Sequence, residues 1–144
     1  MTRWVVDASV AMKWCLSARE EQLIPQATAL LHSYDRGETE FLVPDLFWPE
    51  LANALWKAVW RQKIDLPWAQ ASYGKVADLA IRTIPTFSSV PEAFQLAAAY
   101  DRSVSDSIYV VLALHARADL ITAYEKLANA LAARFPVKWL GALR

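Results

Sequence analysis

Three carboxylates fall at positions where acids do chemistry as well as solvate a surface. Asp7 closes a short apolar run, Glu50 lies in the first turn of an expected helix after a second apolar run, and Asp106 opens another helix with the apolar stretch 108–114 behind it. Each alone has a structural explanation, because the macrodipole favours acids in a first helical turn and Asp is a preferred N-cap. Together they suggest another. Carboxylates crowded at one edge raise each other's pKa unless a cation neutralises them.

Oxygen donors without His or Cys suit Mg²⁺ or Mn²⁺, which keep several waters and bind through one or two carboxylates plus substrate phosphates. Such an ion polarises a phosphoryl group and makes hydroxide available near neutral pH, the chemistry of phosphodiester hydrolysis. Ser9, two residues past Asp7, is placed either to bond a ligand or phosphate or to cap the helix it begins. Asn53, three residues after Glu50, shares its helical face and either orients the acid, touches substrate or simply packs. Lys13, Lys57, Arg102 and Lys126 flank the acid-bearing blocks and are candidate contacts to nucleic-acid phosphates; solvated faces are the alternative. Phosphate contacts predict binding that weakens with salt. Acids such as Glu20, Glu21, Asp65 and Asp78 read as solvated.

The elements that would position these groups alternate along the chain. Residues 3–6 read as a strand stopping at Asp7, followed by a helix over 10–16. Leu23, Ala27, Leu30, Leu31 and Tyr34 recur at helical spacing within 20–34, and Gly37 supplies a left-handed stop. Residues 41–43 read as a second strand, Asp45 opens a helix to about residue 62, and Leu66-Pro67 opens another to about 81. A third strand near Ile84, helices over 91–100 and 105–116, a strand over 119–122, a helix over 124–134 and an edge strand over 137–140 complete the series. Alternating strands and helices mean parallel crossovers, hence an α/β fold whose sites form beyond the carboxyl ends of the strands.

Composition sets limits around this site. The chain has 144 residues, 56% of them hydrophobic, with no repeat or low-complexity tract, so residues 1–144 read as one domain. Fifteen basic and fifteen acidic residues cancel, which leaves local patches to carry any nucleic-acid contact. The single Cys15 excludes an intramolecular disulfide and reads as a buried small hydrophobe, and His32 and His115 have no zinc-ligand spacing. No apolar run approaches the ~20 residues that span a bilayer, and Asp7 and Lys13 interrupt the apolar N-terminal stretch, so a cytoplasmic location is expected. Trp48, Trp56 and Trp60 with Leu51, Leu55 and Val59 cannot all enter the core from one helix, which predicts an aromatic surface for a second copy or a partner.

Three blocks, Val5-Val6-Asp7-Ala8-Ser9-Val10, Pro49-Glu50-Leu51-Ala52-Asn53-Ala54-Leu55 and Asp106-Ser107-Ile108-Tyr109-Val110-Val111-Leu112-Ala113, together with the closing Leu120-Ile121-Thr122-Ala123, resemble PIN-domain proteins, most closely the VapC-type toxins of prokaryotic toxin–antitoxin pairs. The resemblance covers essentially the whole chain. It implies a PIN-like three-layer α/β fold, with a central, mostly parallel sheet of about four to five strands and helices on both faces. It also implies a Mg²⁺- or Mn²⁺-dependent endoribonuclease, usually a homodimer, neutralised by a small antitoxin. Asp7, Glu50 and Asp106 match three of the family's four acids, and Ser9 and Asn53 its polar companions, with Thr122 in support. At the fourth position stands Tyr124, whose phenol carries no charge at neutral pH. Neighbouring Glu125 forms a capping-box pattern with Thr122. A degenerate PIN domain that binds antitoxin or RNA without cutting is the alternative. A phosphatase of the haloacid dehalogenase type would carry a second Asp where Ser9 stands.

Overall fold

The computed structural model describes residues 1–16 and 22–143. Its centre is a five-stranded, wholly parallel sheet of β1 (Thr2–Val6), β2 (Thr39–Pro44), β3 (Arg82–Ile84), β4 (Asp119–Thr122) and β5 (Val137–Trp139), in the order β3-β2-β1-β4-β5. Val5, Val6, Leu42, Val43, Leu120 and Ile121 are buried in consecutive pairs. Side chains alternate across a strand, so such pairs mean a sheet covered on both faces.

The helices are α1 (Ala8–Cys15), α2 (Ile24–Asp35), α3 (Phe47–Trp60), α4 (Leu66–Ala77), α5 (Val90–Tyr100), α6 (Val104–Ala116) and α7 (Glu125–Leu131). Right-handed crossovers from β1 outward to β2 and β3 put α1 to α4 on one face, and the return through β4 to β5 puts α5 to α7 on the other. α6 lies against β1, β2 and β4 beneath α5, and its residues from Ser107 to Ala113 are all buried. None of the described helices is long and apolar enough to cross a membrane.

The expected α/β architecture is therefore the one observed, with differences at element ends. The helix expected over 20–34 starts at Ile24 after Leu23 in the left-handed region; Glu20 and Glu21 lie outside the described residues. The helix expected to open at Asp45 starts two residues later, because the Asp45 carboxylate instead accepts the hydroxyl and amide of Thr86 at 2.6 and 3.3 Å. α4 stops at Ala77 and α7 at Leu131, short of the expected 81 and 134.

Candidate active site

The sheet's strand order reverses between β1 and β4, and the crevice beyond their carboxyl ends is where open α/β sheets bind ligands. Asp7 leaves β1 at this point, and Thr122, Ala123 and Tyr124 leave β4 beside it. Glu50 comes from the first turn of α3 after β2, and Asp106 from the first turn of α6. All three acids line one cleft of about 540 Å³.

None of the three is spent on a cap. Asp7 occupies the N-cap position of α1 without a capping bond, Ser103 rather than Asp106 caps α6, and the start of α3 has no side-chain cap. The capping account of these acids therefore fails on geometry.

Asp7 is buried, and both neighbouring hydroxyls serve it. Ser9 Oγ and Thr122 Oγ1 donate to Asp7 Oδ2 at 2.6 and 2.8 Å. Each hydroxyl in turn accepts a backbone amide from the turn after β4, Ser9 from Ala123 at 3.0 Å and Thr122 from Tyr124 at 3.1 Å. Thr122 is thus tied to Asp7 rather than to Glu125, and the expected capping box does not form: the N-cap of α7 is Tyr124, with no side-chain cap. Burial raises the Asp7 carboxyl above its ordinary range; the two hydroxyls oppose this, and the Asp106 charge adds to it. Glu50 is half-buried and is raised chiefly by burial, then by Asp7 and Asp106, against the phenol of Tyr109, which donates to Glu50 Oε1 at 2.7 Å.

This donor set suits a hard divalent cation: among the described residues the cleft's ionisable acids are Asp7, Glu50 and Asp106, with no His or Cys beside them, and each of Asp7 and Glu50 is destabilised as an anion by burial and by its neighbours. Among the described residues no group of three or more Asp, Glu, His or Cys side chains is arranged to hold a metal ion by itself. A cation here would take part of its coordination from water and from a phosphate, as Mg²⁺ commonly does.

Asn53 and Lys13 line the same cleft. Arg102 and Lys126 do not line it: the Arg102 guanidinium turns to the carbonyl of Asp101 at 2.8 Å, and Lys126 projects from α7. Lys57, also a candidate from the sequence, lines the cleft, and so do Arg61 and Lys63, which the sequence reading does not single out. The stripe Glu50, Asn53, Lys57, Arg61 at helical spacing is the signal that marks Arg61. Tyr109, one turn past Asp106, carries no such mark, because its partner lies 59 residues away. Tyr124 is 61% exposed at the cleft's edge.

The comparison with known families decides the fold family: residues 4–131 match the family model described as PIN domain. The chain belongs to the PIN domain family. Among curated proteins none matches this PIN domain significantly. Among solved structures, this PIN domain is similar to the crystal structure of PAE2754 from Pyrobaculum aerophilum, with a TM-score of 0.73 and 17% identity over 97% of this chain and 85% of that one. It is also similar to a toxin–antitoxin complex from Klebsiella pneumoniae, with a TM-score of 0.59 and 16% identity over 96% of each chain. At these identities the likeness is one of fold.

Proposed function

We propose that this PIN domain is a Mg²⁺- or Mn²⁺-dependent endoribonuclease of the VapC type, the toxin of a toxin–antitoxin pair, acting in the cytoplasm as a homodimer. The observation that carries the reading is the convergence of Asp7, Glu50 and Asp106, none of them used as a cap, in a cleft that also holds Lys13, Lys57, Arg61 and Lys63. Carboxylates beside cations suit a phosphodiester, whose charge needs neutralising on both sides of the reacting phosphorus.

When bound, a divalent cation supplies Lewis-acid polarisation of the phosphoryl group and a water acidic enough to ionise near neutral pH. Asp7, Glu50 and Asp106 are the residues that would hold it. Ser9 and Thr122 fix the rotamer of Asp7 and stabilise its charged form, and Tyr109 does the same for Glu50. Asn53 presents an amide on the cleft wall one turn from Glu50, in reach of substrate.

The antitoxin reading rests on the likeness to a toxin–antitoxin complex and on an apolar groove between α3 and α4, lined by Leu55, Trp56, Val59, Leu66 and Tyr73. Trp56 is 57% exposed in that groove and Trp60 is 71% exposed on the same helix, a surface suited to an apolar helix. Loss of antitoxin binding in Trp56→Ala, with folding intact, is the expected result; unchanged affinity and oligomeric state in Trp56→Ala and Trp60→Ala removes the groove from consideration.

One observation favours a second reading. Tyr124 stands at the cleft's edge in the position of a fourth acid, and a chain lacking that charge is suited to a binding module that no longer cuts. Cleavage of a structured RNA with Mg²⁺, Mn²⁺ or EDTA, run beside Asp7→Asn and Tyr124→Asp, separates the two. Metal-dependent cutting lost in Asp7→Asn supports the nuclease, whereas cutting gained only in Tyr124→Asp supports the binding module.

A further inference from the structure

Outside the carboxylates, the cleft carries a one-sided row of cations. Lys57 and Arg61 lie one helical turn apart along α3, about 6 Å in rise, and Lys57 is about 10 Å of rise beyond Glu50. Lys63 lies past the end of α3, where Gln62 takes a left-handed conformation (φ 61°) and the Lys63 amide bonds back to the Ala58 carbonyl at 2.9 Å. This reversal folds Lys63 over the helix end and into the cleft wall instead of away from it.

The row is set apart by its place in the cleft, since among the described residues Lys75, Arg102, Arg117, Lys126 and Arg134 are likewise without a carboxylate partner but do not line it. Arg3, Arg36, Arg82 and Lys138 each pair with a carboxylate, whereas among the described residues Lys57, Arg61 and Lys63 pair with none, and all three are exposed. Among the described residues the opposite wall brings no Lys or Arg: α6 contributes Asp106, and the turn after β4 contributes Ala123 and Tyr124, while α1 adds Lys13 to the cleft. In a chain of zero net charge, this local row, together with Lys13, gives the cleft its attraction for a polyanion.

We propose that Lys57, Arg61 and Lys63 form a phosphate track for single-stranded RNA along α3, so that the substrate is gripped by nucleotides on one side of the scissile bond. The proposal rests on the nuclease reading and adds the direction in which the strand leaves the acids. Spacing of one cation per helical turn suits the successive phosphates of an extended strand, and the bare opposite wall leaves the other flank unheld. Carboxylates at the head of the track disfavour an acidic peptide, whose side chains bring no phosphate to share a cation.

The test uses the intact protein and a short fluorescein-labelled single-stranded RNA, with binding read by anisotropy in Ca²⁺ and cleavage in Mg²⁺ or Mn²⁺. Lys57→Gln, Arg61→Gln and Lys63→Gln are each expected to weaken binding by about three- to tenfold and to lower the slope of log affinity against log salt by about 0.7. KM rises while kcat at saturating RNA holds, and Lys75→Gln on α4, exposed and away from the cleft, changes neither. Circular dichroism confirms that the surface variants fold. If the native protein cuts and the three variants bind, cut and respond to salt as it does, the track is wrong while the nuclease stands. Weakened binding in the variants, with no cutting by the native protein in any metal, upholds the track and removes hydrolysis. Binding of polyglutamate in place of RNA overturns the track.

Discussion

A buried or half-buried carboxylate keeps its charge only where donors hold it, and the site meets this need with three hydroxyls: Ser9 and Thr122 on Asp7, Tyr109 on Glu50. The acids and Ser9 are legible in the sequence because short blocks carry them, and local spacing fixes which side of an element they leave. Tyr109 is illegible, since its phenol reaches Glu50 only after α3 and α6 meet across the sheet. Its burial reads as core until the bond is seen. Tyr109→Phe is expected to cost about 1.5–3 kcal/mol, the worth of a hydrogen bond to a charged group, measured by urea denaturation. The same change should weaken Mn²⁺ binding in calorimetry, because Glu50 loses its fixed orientation; unchanged stability and metal affinity would reduce Tyr109 to packing.

At the scale of elements, the order and kind of helices and strands follow from apolar periodicity, while their ends do not. The chain has only three glycines, and just Gly37 marks a helix end in the usual way. Gln62, Asp101 and Arg117 hold positive φ at the ends of α3, α5 and α6; Gln and Arg do not announce a stop, and Asp does so only occasionally. α6 hides its nature differently, because burial along its middle leaves a weak amphipathic signal. Gln62→Gly removes the left-handed penalty of a residue with a Cβ and is expected to stabilise the protein by about 0.5–1 kcal/mol. A rise of a few degrees in Tm would show it; a fall would mean that the Gln62 side chain stabilises the turn by more than its backbone costs.

For the whole molecule, the alternation of elements makes a parallel sheet legible, but the reversal of strand order between β1 and β4 emerges only from packing, and it is that reversal that gathers the acids. The gathering has a cost in the absence of a cation. Asp7 and Glu50 are both raised, chiefly by burial. An acid raised in the folded state stabilises the fold below its unfolded pKa, and that contribution is lost as pH rises through the folded value. The metal-free protein should therefore lose stability as pH climbs from the ordinary Asp value of 3.8 towards neutrality. In EDTA at pH 7, Asp7→Asn is expected to melt higher than the native protein and to show a flatter pH dependence. Mg²⁺ or Mn²⁺ should raise the native Tm, with about 2.7 kcal/mol of stabilisation at a hundred times Kd, and leave the variant unmoved. Scanning fluorimetry across pH reads all of these, and a native Tm indifferent to metal would remove the cation from the cleft.

The central strand precedes the other four along the chain. β1 pairs on one side with residues 39–42 and on the other with residues 119–121, and the hydroxyl of Thr122 that steadies Asp7 is encoded 115 residues downstream of it. During translation, Asp7 emerges together with Ser9 but well ahead of Thr122. A chain cut short by a premature stop codon ahead of β4 carries Asp7, Glu50 and even Asp106, yet lacks the strand that assembles them. A product that stops ahead of β4 therefore lacks both the strand beside β1 and the hydroxyl that steadies Asp7, so the cleft is assembled only once β4 has been made.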